Sequence, residues 1–288
     1  MNSRDPLTQK TLLACFAHPD DETFGVGGTL ARYAREGVAV HLACATRGEV
    51  GMVKPEHLQG FATIGELRWA ELACAAQALG LASITYLGYR DSGMEGSPDN
   101  HHPEALAAAP VEAVAGKIVR LIRELKPQVV MTFDPVGVYG HPDHIAIHKA
   151  TVLAFEAAGD PQQWPEAGPT FAPARLYFYT IPWNALRWML RLMPLLGQDP
   201  TKVGTNRDID LMRMAENRFR VTTVIGTGRY REIQRQAMAC HRSQLTGEEG
   251  QPWLLKLASR LEGYWQVYTR AHPPFRGGRR ERGLFGDL

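Results

Sequence analysis

The first 160 residues alternate short, unbroken apolar runs with stretches of helical periodicity, and that alternation leaves few architectures open. Thr11 to Ala17 (TLLACFA), Val38 to Ala45 (VAVHLACA), Ser83 to Leu87 and Gln128 to Phe133 (QVVMTF) read as strands. Between and after them, helices are expected from about Gly27 to Glu36, Ile64 to Leu79, Val111 to Leu125 and Asp143 to Ala157. Val114, Ile118, Leu121, Ile122 and Leu125 mark one apolar helix face. A strand that is apolar along its whole length leaves no face for water, so the sheet must be covered on both sides. Strands joined through helices cross over and run parallel. The expected fold is therefore α/β: a Rossmann-like, mostly parallel sheet with helices on both faces, plus a smaller C-terminal α/β portion.

In such a sheet, functional residues gather beyond the carboxyl ends of the strands. The first strand runs into AHPDDE (17–22) and the fourth into DPVGVYGHPDH (134–144), so both segments fall on one edge. His18, Asp20, Asp21 and Glu22 would place one imidazole and three carboxyls at the end of a buried run, a costly cluster without a cation. A divalent metal removes that cost. Imidazole plus carboxylate suits zinc, with iron(II) or manganese(II) as alternatives. The second cluster, His141-Pro-Asp-His144, offers the remaining nitrogen donor, and two histidines with one aspartate meet the three-ligand pattern of a catalytic zinc with residues left over. Of these, Asp20 is placed to take a proton from water, His141 and Tyr139 to stabilise an oxyanion, and Asp143 either to hold His141 charged or to orient a ligand histidine. HPD alone is also a good helix start, with Asp as a cap and Pro in the first turn. It is the pairing of two such clusters on one sheet edge that favours a metal site.

Charge is nearly balanced, 32 basic against 30 acidic residues, which argues against nucleic acid as a partner because phosphate binding needs a concentrated positive field. Cys15, Cys44, Cys74 and Cys240 lack CxxC spacing, so a disulfide framework is not expected. MNSRDPLTQK lacks an apolar leader and no run is long enough to span a membrane, so the sequence reads as cytoplasmic, without stable membrane insertion. Gly25, Gly27 and Gly28 do not form a dinucleotide loop, since G-x-G-x-x-G would need glycine at Leu30. H-E-x-x-H is absent, which disfavours a metallopeptidase.

The two clusters stand unaltered as AHPDDE and HPDH, beside TRGEVG (46–51), RWAEL (68–72), LGYRDSGM (87–94) and YGHPDH (139–144). In these residues the chain resembles the LmbE-like (PIG-L) family of zinc-dependent de-N-acetylases, over roughly residues 11–160. The resemblance implies that His18, Asp21 and His144 bind zinc and that Asp20 is the general base. It also implies that His141 and Tyr139 stabilise the oxyanion and assist the leaving amine, and that Arg68 and Asp91 hold substrate hydroxyls. Within the family the chain is most similar to the sugar deacetylases of low-molecular-weight thiol synthesis, mycothiol-type before bacillithiol-type. The implied partner is a small-molecule N-acetylglucosaminyl conjugate, linked to inositol or malate. An amidase acting on a thiol S-conjugate with the same metal site is the competing reading, and a non-enzymatic zinc or sugar-binding module the more distant one.

Residues 161–271 are expected to complete the substrate pocket and 272–288 to form a mobile basic tail, with Arg276, Arg279, Arg280 and Arg282. Glu49, in a glycine-rich loop, and His241, in CHRSQ, are further substrate-side candidates. Arg175 to Thr180 reads as a strand, and about Tyr230 to Cys240 and Pro252 to Gly263 as helices. Trp183 to Leu196 could be a lid, a dimer contact or an interfacial helix, and a homo-oligomer stays open.

Overall fold

A computed structural model describes residues 9–181, 183–201, 210–216, 219–245 and 264–288. The helix expected over Pro252 to Gly263 lies outside the described residues. The strands are β1 (Thr11–Phe16), β2 (Ala39–Cys44), β3 (Ser83–Tyr86), β4 (Val129–Phe133), β5 (Arg175–Tyr179), β6 (Thr223–Gly226) and β7 (Trp265–His272). The helices are α1 (Asp21–Phe24), α2 (Gly27–Arg35), α3 (Ile64–Leu79), α4 (Val111–Leu125), α5 (Gly137–Gly140), α6 (Pro142–Ala157), α7 (Trp183–Leu192), α8 (Leu211–Met214) and α9 (Arg231–Met238).

The strands form one seven-stranded sheet in the order β3-β2-β1-β4-β5-β7-β6. The first five in that order pair in parallel, and β7 adds antiparallel to β5 and to β6. The chain winds outward from β1 to β2 and β3, then returns to place β4 on β1's other side. The crevice between the ends of β1 and β4 is thus the switch point where such sheets bind ligands. Every residue of β1 and β4 is buried, as their unbroken apolar runs require.

Local chemistry explains the helix boundaries nearest the crevice. Thr63 caps α3 by accepting the Glu66 N–H, Glu66 accepts the Ala62 N–H in return, and Gly80 ends the helix in the left-handed conformation. His141 is the N-cap of α6, its Nδ1 accepting the Asp143 N–H at 3.1 Å, with Pro142 in the first turn. That start sends Asp143 and His144 back toward β1.

Two features differ from expectation. Cys74 of α3 and Cys240, just past α9, form a disulfide across a sequence separation of 166 residues. The packing of α3 on α9 brings the two together, and no spacing in the sequence signals it. The C-terminal end, expected to be mobile, is packed. Glu281 exchanges backbone hydrogen bonds with Thr222 and Val224 beside β6, and Leu284 and Phe285 are buried. The Leu284 N–H donates to the Tyr33 hydroxyl at 2.6 Å, and Arg175 donates to the Leu284 carbonyl at 3.0 Å. Two apolar residues at the end of the arginine-rich segment supply the anchor. No helix among the described residues is long and apolar enough to cross a membrane.

Candidate active site

The loops after β1 and β4 bring His18, Asp21 and His144 together. His18 Nδ1 lies 3.3 Å from His144 Nε2 and 3.7 Å from Asp21 Oδ2, and His144 Nε2 is 3.4 Å from Asp21 Oδ1. The opposite nitrogen of each histidine is already engaged: His18 Nε2 donates to Asp143 Oδ2 at 3.0 Å and His144 Nδ1 to the Gly137 carbonyl at 3.3 Å. These partners set the tautomers and turn two imidazole lone pairs toward each other. Two facing lone pairs beside a carboxylate repel unless a cation lies between them. A tetrahedral zinc with ligand arms of about 2.0–2.1 Å has ligand–ligand edges of about 3.3 Å, close to the separations observed. The donor set therefore fits a divalent metal.

Each donor is held from behind. Asp21 Oδ2 accepts the N–H groups of Ala17 and His18, at 3.2 and 2.8 Å, leaving Oδ1 to face His144. Asp143 accepts from both the backbone N–H and the hydroxyl of Ser92. Gly137 lies at φ +65, and a Cβ there would come within 2.9 Å of the His144 Cβ, so only glycine fits. The next residue, Val138, also has a positive φ of 62; its N–H is held by Asp134 Oδ1 at 2.9 Å. A β-branched residue in that region is rare and marks strain at a working loop.

His141 also lies in this cluster, its ring 4.6 Å from that of His18 and 5.1 Å from that of His144. Grouping donors by mutual distance unites His18, His141 and His144, or His18, Asp91, His141 and Asp143, without Asp21. Asp21 Oδ1, 3.4 Å from His144 Nε2, is a further donor at the same place, while Asp143 Oδ2 is engaged by His18 Nε2. Tyr139 completes the wall, half-buried, its ring 4.9 Å from that of His144.

Burial and charge set the protonation states. Burial by itself would depress His18, but the Asp91 and Asp143 carboxylates outweigh it and hold its pKa well above the ordinary value, so a proton on Nδ1 and a metal would compete for the same lone pair. Asp21 is desolvated too, yet His144 and His18 bring it below the usual carboxylate range. Burial pushes Asp20 up to about 6, with the Arg68 guanidinium opposing the shift. His141 falls to about 2 through burial, reinforced by His18 and His144, so it is neutral. Its Nδ1 accepts the Asp143 N–H, which puts its own proton on Nε2. The Asp143 carboxylate thus orients His18 and does not hold His141 charged. Burial raises the Tyr139 hydroxyl well above 10, keeping it a donor.

The residues expected on the substrate side turn their polar atoms into the protein. Arg68 donates to the Pro19 and Gly48 carbonyls at 2.7 and 3.0 Å and to Asp20 Oδ2 at 3.0 Å. Asp91 accepts the Val50 and Gly93 N–H groups, and Glu49 accepts those of Arg47 and Asp91. His241 is fully buried, its Nε2 2.7 Å from Glu22 Oε1. Ser92 and Glu22, which these contacts recruit, carried no sequence signal beyond their place in RDSGM and HPDDE.

Comparison with known proteins adds three findings. The family model described as GlcNAc-PI de-N-acetylase matches residues 13–155. A 1D-myo-inositol 2-acetamido-2-deoxy-alpha-D-glucopyranoside deacetylase of Thermomonospora curvata is 36% identical, with 98% of each chain aligned. Among solved structures, an N,N'-diacetylchitobiose deacetylase from Pyrococcus horikoshii superposes with a TM-score of 0.63 at 19% identity, over 92% of this chain and 84% of that one. At that identity the superposition speaks for the fold alone.

Proposed function

This chain belongs to the GlcNAc-PI de-N-acetylase (PIG-L) family, and on that premise we propose that it removes the acetyl group from an N-acetylglucosaminyl–inositol conjugate by metal-dependent hydrolysis. The observation that carries the reading is the buried meeting of His18 Nδ1, His144 Nε2 and the Asp21 carboxylate, whose Oδ1 faces His144 and whose Oδ2 faces His18. His18, Asp21 and His144 would hold the metal, zinc by the donor set. The metal supplies Lewis acidity toward the amide oxygen and makes water a better nucleophile.

The protein's own groups do the rest. Asp20 takes a proton from the attacking water, and a carboxyl poised near 6 is suited both to accept that proton and to return it. The tetrahedral oxyanion meets two neutral donors, the Tyr139 hydroxyl and the His141 Nε2–H. The proton that Asp20 takes up is the one it returns to the departing amine. Water and amide thus become acetate and free amine with one carboxyl as shuttle. Arg68 holds the loop that carries Asp20, and Asp91 and Glu49 hold the loops that wall the pocket. The catalytic core is residues 11–160, and residues 161–271 complete the pocket. The contacts of Gln234 with the Thr23 carbonyl and of His241 with Glu22, behind the HPDDE loop, support that contribution of the later segment.

Acetate release from the inositol conjugate, from the malate glycoside and from free N-acetylglucosamine tests the proposal. We expect the inositol conjugate to be preferred, activity to vanish with chelator and to return with zinc. Asp20→Asn should lower kcat by about 10²–10⁴-fold while the protein still binds metal. Full turnover in Asp20→Asn would remove the base from the mechanism. Metal binding without acetate release from any of the three would move the substrate to another amide.

A further inference from the structure

We propose that His241 is a positioning residue for the deacetylation, acting through Glu22 to hold the backbone of Asp20. The inference rests on the reading of Asp20 as the base. Asp20 is the only residue between β1 and α1 with a positive φ, at 123, a conformation that a non-glycine residue keeps only when its surroundings enforce it. The enforcement is visible. Glu22 Oε2 accepts the Asp20 N–H at 2.9 Å, and Glu22 Oε1 accepts from His241 Nε2 at 2.7 Å. One carboxylate spans the two, and both Glu22 and His241 have no exposed surface. Neither can touch substrate.

His241 is itself pinned on both sides to α3. Cys240 is bonded to Cys74, and the Ser243 N–H and hydroxyl donate to Glu71 at 2.8 and 2.7 Å. The same helix supplies Arg68, which grips the Asp20 carboxylate and the Pro19 carbonyl. Cys74, Glu71 and Arg68 follow one another at helical spacing along α3, so a single rigid element sets both clamps. One clamp acts on the side chain of Asp20 and the other, through the C-terminal segment, on its peptide. The region matched by the family model ends at residue 155, so this second clamp comes from a part of the chain beyond that match.

A clamp of this kind aims a group without binding metal or substrate. The experiment measures kcat, KM, zinc content and thermal stability of the zinc-loaded protein. The variants are His241→Phe and His241→Gln, each made in the wild-type and in the Asp20→Asn background. His241→Phe removes the donor to Glu22, and we expect kcat to fall by about tenfold or more with KM and zinc content unchanged. His241→Gln keeps an N–H within reach of Glu22 and should recover most of the loss. With Asp20→Asn already in place there is no base to aim, so His241→Phe should change kcat less than about twofold. An equal loss in both backgrounds, or a loss of zinc, would make His241 structural and overturn the proposal. So would an unchanged kcat in His241→Phe. If His241→Phe does not fold, the isosteric Glu22→Gln, which leaves one of the two links without a fitting partner, is read in the same cycle. Failure of the base reading shows separately, as undiminished turnover in Asp20→Asn alone.

Discussion

At Gly48 the chain has no room for a side chain. The residue sits at φ +67, and a Cβ there would overlap the Arg68 guanidinium; at Gly51 the same group would be 2.6 Å away. Both glycines of TRGEVG therefore let the arginine lie flat against the backbone on its way to Asp20. Gly48→Ala should cost about 1–3 kcal/mol of stability and lower kcat by displacing Arg68. Denaturation and turnover of that variant check this, and wild-type values for both would show that the loop can give way. At this scale the two clusters that meet in the site were legible, because HPDDE and HPDH are each a short local pattern after its own strand. The groups that hold them were not. Ser92 finds Asp143 51 residues away and His241 finds Glu22 across 219, distances at which a sequence carries no pairing signal.

The elements of the first half were legible because their causes are local. Apolar runs became β1, β2 and β4, and the segment expected to be helical over Ile64 to Leu79 became α3. The C-terminal end was read from composition, and its four arginines are indeed exposed, but Leu284 and Phe285 after them are buried and decide the packing. One helix carries a pH dependence of its own. His148, one turn beyond His144 on α6, is buried and donates through Nδ1 to the Phe133 carbonyl at 2.8 Å. Burial lowers its pKa below 6.5, so the folded state keeps it neutral while the unfolded chain takes up a proton. Where the unfolded state binds more protons, stability falls as pH falls, so this contribution is lost below about 6.5. His148→Asn keeps a donor at the same place but does not titrate. Its stability should decline less than that of the wild type between about pH 7 and 5 in urea titrations; parallel declines would assign the effect to other groups.

At the scale of the whole molecule, the β7–β6 pair continues the parallel sheet antiparallel, and the disulfide ties α3 to the end of α9. A cross-link closing so long a loop restricts the unfolded chain, and its removal should cost about 2–4 kcal/mol. Cys74→Ser, or reduction of the wild type, should lower the denaturation midpoint accordingly. No change on reduction would mean that the bond adds nothing to stability. The sequence hid this tie because neither its ends nor their spacing carry a signature.

The N-terminal end of α2 meets the C-terminal part of the chain with no slack. A Cβ on Gly28 would come within 2.8 Å of Thr227, Gln266 accepts the Thr29 N–H at 2.8 Å, and Gln234 donates to the Thr23 carbonyl at 3.0 Å. For protein engineering this rules out a simple cassette. A chimera that joins the first half of this chain to the second half of a relative inherits a seam cut to the width of a glycine and read by two glutamines. Unless the donor half brings its own small residue and amides to the same places, the graft would fail at a joint far from any substrate.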